Sequence, residues 1–267
     1  MLLNLHSYYS LRYGTLSIDQ LVTGLVERGY DTAVLTDINN STGSLIFIKA
    51  CQDAGINGLA GVEFRNGDEL LFIGIARNEE GFREMNELLT ESNKSAKPLP
   101  VLAPEFNHVS VIYPYEKMLH RPLREYEYVG IRHTHINKIR LANDHQRSKY
   151  VIWQPVTFTT SAERKLHTQL RAISHNILIS QLKAEHIADA FEVFPSKLQL
   201  LDKFKDFPLL IANTENLLSN CRFNFDFSEH RNKKTFTGNR YDDKQLLSKY
   251  ALDGLQKRYR PSDKIAK

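Results

Sequence analysis

Only two cysteines occur in the 267 residues, Cys51 and Cys221, far apart and outside any CxxC spacing. Their scarcity excludes a disulfide framework and a zinc knuckle, and it fits a reducing cytoplasm. No apolar run approaches the length of a membrane span, and neither end reads as a signal peptide, so a cytoplasmic protein with no membrane partner is expected. Glycines are scattered singly. Gly14, Gly43, Gly55 and Gly61 punctuate strands and helices and build no phosphate-cradling loop. Charge of one sign is also in short supply: the net +4 permits a nucleic-acid partner without requiring one. The late clusters Arg231, Lys233, Lys234 and Arg240, and Lys257, Arg258 and Arg260, read as solvated surface.

What remains is an ordinary globular composition, 42% hydrophobic and 25% charged, with enough length for one large domain or one domain and the start of another. Leu2, Leu3 and Leu5 mark an opening strand. Ser17, with Gln20 three residues on, offers a capping box for a helix through Ile18, Leu21, Val22, Leu25 and Val26, stopped at Gly29. The run Ala33–Leu35 reads as a buried strand, residues 45–54 as a helix, and 58–62 as a strand. Asn66-Gly67 signals a hairpin into a strand over 70–76. Phe82, Met85, Leu88 and Leu89 give a further helix, followed by an exposed loop over 92–100. Strands are predicted at 109–113, 128–131 and 150–156, and helices at 162–182, 197–204 and 215–221. About seven strand–helix units over roughly 220 residues imply an α/β fold, a distorted TIM-like (β/α)7 barrel. After Cys221 the texture turns polar, aromatic and basic. A last helix starts near Tyr241-Asp242, with Leu246, Leu247, Tyr250, Ala251 and Leu255 on one face, and ends at Arg260-Pro261.

In a parallel barrel the site gathers at the C-terminal strand ends. Those segments read Asn4-Leu5-His6-Ser7-Tyr8-Tyr9-Ser10-Leu11-Arg12-Tyr13-Gly14, then Leu35-Thr36-Asp37-Ile38-Asn39, then Gly61-Val62-Glu63. They resemble the PHP (polymerase and histidinol phosphatase) family, which carries His-x-His, Thr-Asp-His and Gly-x-Glu in these places. The segments Ala76-Arg77-Asn78-Glu79-Glu80-Gly81, Ala212-Asn213-Thr214, Phe225-Asp226-Phe227 and Gly254-Leu255-Gln256-Lys257-Arg258-Tyr259 are more specifically similar to the N-terminal region of bacterial DNA polymerase III alpha subunits, the C-family polymerases. The resemblance implies a PHP domain over 1–220. It also implies, over 221–267, a linker and first helix leading into a polymerase palm that is absent from this chain.

The same resemblance assigns the site position by position. The first His of His-x-His is Asn4, and the second is kept as His6. The Asp of an Asp-Gly pair is Tyr13. The His of Thr-Asp-His is Ile38, next to a kept Asp37. The Glu of Gly-x-Glu is kept as Glu63, and a fourth-strand His is Leu71. An Asn-Asp-x-His segment aligns with Gln154-Pro155-Val156-Thr157, and a Ser-Gly-Cys type segment is replaced near Gly130-Ile131-Arg132. Metal clusters of this kind need several lone-pair donors per ion. Saturated Ile38 and Leu71 offer none, and Tyr13 would first have to ionise. The expectation is therefore no catalytic residue and no metal in this segment, with His6, Asp37 and Glu63 as vestigial metal-site positions.

Two functions follow from the resemblance. In the first, the domain is a structural and interaction domain of a DNA-directed DNA polymerase, in replication or lesion bypass. The full-length protein would hold Mg²⁺ at the palm and touch DNA. The domain would pack on the polymerase core of the same chain and could meet a proofreading exonuclease or other replisome subunits, and this fragment alone would be inactive. The alternative is a metal-dependent phosphoesterase, a 3′–5′ exonuclease or histidinol-phosphatase-like enzyme, rebuilt from His6, Asp37 and Glu63 with His133, His135 or His167. His133 and His135 alternate on what reads as a strand end but sit among Arg132 and Lys138. His167 and His175 lie near one helix face with no carboxylate at ligand spacing. Tyr8 and Tyr9 are read as packing at the barrel mouth rather than as base-stacking rings.

Overall fold

Leu2, Leu3 and Leu5 seed β1 (Leu2–Leu5), and all four of its residues are buried. A strand covered on both faces has no solvent side to show, hence leucine on both faces, with Asn4 its one polar residue, buried as well. The chain is seen in a computed structural model that describes residues 1–117, 119, 121–140, 144–223, 225–228 and 235–259. Ser17 caps α1 (Ile18–Glu27): its hydroxyl accepts the Gln20 N–H at 3.1 Å, and the Gln20 side chain accepts the Ser17 N–H at 2.8 Å. There follow β2 (Thr32–Leu35), α2 (Ser44–Asp53) and β3 (Asn57–Asn66). Gly67, at φ +61°, makes the tight turn into β4 (Glu69–Ala76). Next come α3 (Glu79–Ser95), β5 (Val109–Pro114), β6 (Glu127–Ile131) and the short α4 (Ile136–Ile139) and α5 (Asp144–Arg147). The unit finishes with β7 (Tyr150–Ile152), β8 (Pro155–Val156), α6 (Ser161–His175), α7 (Lys197–Lys203) and α8 (Pro208–Ser219).

The eight strands form one sheet in the order β7-β6-β5-β4-β3-β2-β1-β8. The α/β barrel-like class is as the sequence indicates, with two differences of detail. First, β4 is antiparallel to both β3 and β5, while the other five pairings are parallel. A short hairpin has no crossover helix and can only reverse the chain. Second, the predicted strand over 150–156 is two strands on opposite edges of the sheet, with only Trp153 and Gln154 between them. The three steps from Ile152 to Pro155 reach about 10 Å at most. Both sheet edges must come that close, so the sheet curls strongly around its core.

Helix ends also moved. α6 stops at His175 rather than Leu182, because Asn176 takes a left-handed conformation (φ +53°). α3 runs on to Ser95, so the loop after it begins later than Ser92.

The chain divides into two units, Met1–Phe225 and Asp226–Lys267. The second holds α9 (Arg240–Arg258), none of whose residues is buried. Asn239 caps it, and Asp243 accepts the N–H groups of Phe236 and Thr237. Asn224, Arg231, Lys233, Lys234, Arg260 and Pro261 lie outside the described residues. Among the described residues no helix is long and apolar enough to cross a membrane.

Candidate functional site

Successive strand side chains alternate faces, so Asn4 and His6 share one face of the chain at β1, as Glu63 and Arg65 do on β3. These four meet at the C-terminal strand ends. A bridge between Ile38 and Glu63 joins the segment after β2 to β3. Glu63, 1% exposed, has both oxygens fully engaged. Arg65 Nε and Nη2 both lie 2.5 Å from Oε1. The Asn4 amide donates to Oε2 at 2.9 Å, and His6 Nε2 lies 3.0 Å from it. A carboxylate has about four lone-pair sites, and here each has an occupant. Burial alone would raise the Glu63 pKa. The Arg65 charge, with His6 and the Asn4 N–H, outweighs it and holds the carboxyl well below the usual range.

His6 is equally committed. Its Nδ1 lies 2.9 Å from the Thr157 hydroxyl, which donates to Glu192 at 2.5 Å. Asn4 also donates to Thr36 at 2.7 Å and accepts the Trp153 indole N–H at 3.0 Å. Thr157, at the end of the segment Gln154-Pro155-Val156-Thr157, thus meets His6.

Asp37 serves a different task. It accepts the Ser7 N–H and hydroxyl, both at 2.7 Å, and the Ser10 hydroxyl at 2.6 Å, and so pins the loop after β1. Burial raises its pKa despite these donors. In that loop Gly14 is required by space, since a Cβ there would fall 1.8 Å from the Ser7 carbonyl oxygen. Asp37→Ala would orphan three donors and is expected to cost about 2–3 kcal/mol in urea unfolding. A loss below about 1 kcal/mol would show that the loop is held by other means.

Tyr13, Phe158 and Ala188 form a buried cluster with Ile38 against it. Burial, with Glu192 adding to it, pushes the Tyr13 phenol far above its ordinary pKa, so it stays neutral. Its ring meets His6 edge-on at 5.4 Å and His167 at 4.7 Å, and the Arg65 and Arg171 guanidiniums lie 4.6 and 5.4 Å from its centroid. Leu71 is fully buried on β4, while Leu70, paired with Arg65, lines the mouth.

A second charged cluster lies beside the first. Arg171 of α6 ion-pairs with Asp68 of the β3–β4 turn and lies 2.9 Å from His175 Nε2. His175 is 3.0 Å from Asp68 and stacks on His186 at 4.2 Å. Asp68, His175 and His186 are, among the described residues, the one group of three whose ligand atoms gather within 4.8 Å. His133 and His135 do not face one way, because they lie in a 3₁₀ turn: His133 is exposed, and His135 is buried against Tyr115 and Glu116. Tyr8 and Tyr9 pack on each other at 4.7 Å. Sequence reading missed Arg65, Arg171, Asp68 and Glu192. Only Arg65 left a signal, two residues past Glu63 on the same strand.

A curled α/β barrel with a His–carboxylate frame at its strand ends defines a domain of the PHP kind. Residues 3–173 match the PHP domain family, and the chain belongs to that family. Among its relatives is DNA polymerase III subunit alpha of Staphylococcus epidermidis, 25% identical over 228 residues, covering 82% of this chain and 21% of the relative. The error-prone DNA polymerase of Symbiobacterium thermophilum is 21% identical over 96% of this chain and 28% of its own length. DNA polymerase III subunit alpha of Halalkalibacterium halodurans is 23% identical over 96% of this chain and 26% of its own. The chain thus resembles the N-terminal PHP region of such alpha subunits, and it spans between 21% and 28% of these relatives' lengths.

Proposed function

We propose that this PHP domain is a structural and interaction domain of a DNA polymerase III alpha-type chain, and that its strand-end frame works without metal. One observation carries the reading: every acceptor position of Glu63 is taken, two of them by the permanently charged Arg65. A guanidinium there supplies the positive charge that a divalent ion would otherwise bring to the buried carboxylate. The neutral Tyr13 packs against His6 and Arg65, and the apolar Ile38 packs on the Tyr13 cluster. The domain boundary near residue 220 belongs to the same proposal. So do the assignments to the whole polymerase: nucleotidyl transfer with Mg²⁺ outside this chain, a place in replication or lesion bypass, and contacts with the polymerase core, DNA and a proofreading exonuclease or other replisome subunits.

A metal-dependent phosphoesterase is the second reading, favoured by the gathering of Asp68, His175 and His186. Two features of the cluster weigh against it. Arg171 already takes Asp68 and sits against His175. His186 Nδ1 accepts the Lys183 N–H at 3.2 Å, which leaves the ring proton on Nε2. Metal content of the purified protein, with phosphatase and exonuclease assays in Mn²⁺ or Zn²⁺, separates the readings. Substoichiometric metal and no turnover above background are expected. Stoichiometric metal with turnover lost in Glu63→Ala would overturn the metal-free reading, and metal lost only in His175→Ala would move the site to the second cluster.

A further inference from the structure

The second charged cluster is built like the first, with a guanidinium where its polar groups converge, as Arg65 stands at Glu63. Arg171 reaches it from α6, with its side chain 8% exposed. Its Nη2 pairs with Asp68 Oδ1 and lies 2.9 Å from His175 Nε2, and its Nε donates to the His186 carbonyl at 2.7 Å. Asp68 Oδ2 lies 3.0 Å from the same His175 nitrogen. One nitrogen of His186 completes a set of three donor atoms within 4.8 Å of one another. Two imidazoles and a carboxylate so gathered are donors that a zinc-type ion takes, with a fourth position left for water. Arg171 Nη2 touches two of the three residues, so the positive charge they could share already comes from the chain.

We propose that Arg171 is the resident cation of this cluster, and that Asp68, His175 and His186 form a latent divalent-metal site which Arg171 keeps closed. Charge gives the direction. A half-buried carboxylate held among imidazoles needs a counter-charge, and once the guanidinium is gone an ion of the Zn²⁺ type can bring it. Glu185, 3.9 Å from His186 Nε2, adds negative charge on the same side. Access is present, since Asp68 is 23% and His175 27% exposed. The cost is one weak bond. Whichever His186 nitrogen takes the ion, the 3.2 Å contact from the Lys183 N–H to Nδ1 is given up, and that length is at the long end of the hydrogen-bond range. The inference rests on the metal-free reading and extends it to a second cluster. Metal content of the wild-type chain decides that reading, whereas substitution of Arg171 decides this one.

The probe is Zn²⁺ alone, equilibrated with the full chain by dialysis and quantified in the protein compartment. Arg171→Met should bind it at least about tenfold more tightly than wild type, a difference of about 1.4 kcal/mol. Added Zn²⁺ should also raise the melting temperature of that variant. Arg171→Lys, which keeps a cation, should bind like wild type. Adding His175→Ala or Asp68→Asn to Arg171→Met should abolish the gain. Should Arg171→Met fail to fold without the ion, the same gain is expected in Arg171→Gln, which keeps a side-chain N–H donor. The proposal is overturned if wild type or Arg171→Lys binds Zn²⁺ as tightly as Arg171→Met, or if the gain is absent. It also falls if the gain survives either second substitution, which would place the ion on other histidines, or if neither Arg171→Met nor Arg171→Gln folds even with Zn²⁺ present.

Discussion

Replacing Arg65 by alanine is expected to cost about 3–5 kcal/mol of folding stability, because it strips the fixed cation from a carboxylate that is 1% exposed. Arg65 also lies over the Tyr13 ring, so the substitution opens packing as well as charge. The pH dependence gives the test its sign. In the intact protein Glu63 is held below its ordinary value of 4.5. Its contribution is therefore fully present above about pH 4.5 and is lost as pH falls through the folded-state pKa. Without Arg65 the burial penalty dominates and favours the protonated acid, so the cost of the substitution should shrink on acidification. Urea unfolding at neutral and acid pH measures both. Arg65→Met combined with Glu63→Gln should recover most of the loss, since both charges leave together. A loss under about 1 kcal/mol in Arg65→Ala, or one independent of pH, would mean that the pair is not what neutralises Glu63.

His167→Gln is expected to remove most of the acid sensitivity between pH 6.5 and about 4. His167 donates from Nδ1 to the Tyr13 carbonyl at 2.7 Å and accepts the Ala188 N–H on Nε2 at 2.8 Å. Those two partners fix one neutral tautomer. Burial, with smaller repulsions from Arg171, His6 and Arg65, pushes its pKa from 6.5 down to about 4. A histidine with a depressed folded-state pKa contributes fully above its unfolded value of 6.5, and the contribution drains away as pH falls toward 4. The difference amounts to about 3 kcal/mol. Stability curves of the two proteins should therefore converge as pH drops through this window, with wild type ahead at neutral pH. Parallel curves would place the acid sensitivity elsewhere, and histidine NMR titration of the native protein would show whether His167 titrates at all above pH 5.

The residues that made the site legible were those whose chemistry is stated by type alone. Ile38 offers no lone pair in any structure, and a phenol such as Tyr13 needs help to ionise. Glu63 and His6 could be singled out, but not their partners. Arg65 was within reach, because two residues along a strand is the same face. Asp68 and Arg171 were out of reach: 103 positions separate them in the chain, and only the β3–β4 turn folding toward α6 brings them together. The same applies to His175, which has no carboxylate at helical spacing yet finds Asp68 from another element.

By itself, the sequence determined the elements and the frame of the site: buried, mostly apolar strands, the capping box at Ser17, the hairpin at Gly67, and strand ends that carry His6 and Glu63 beside Ile38 and Tyr13. These are local properties, set by side-chain chemistry and by periods of two and 3.6 residues. Tertiary structure alone decided that the segment 150–156 would split between opposite edges of the sheet, and that two guanidiniums would stand beside the two carboxylate clusters at the mouth. A buried carboxylate must find its counter-charge wherever the fold can bring one, and sequence distance does not constrain that choice.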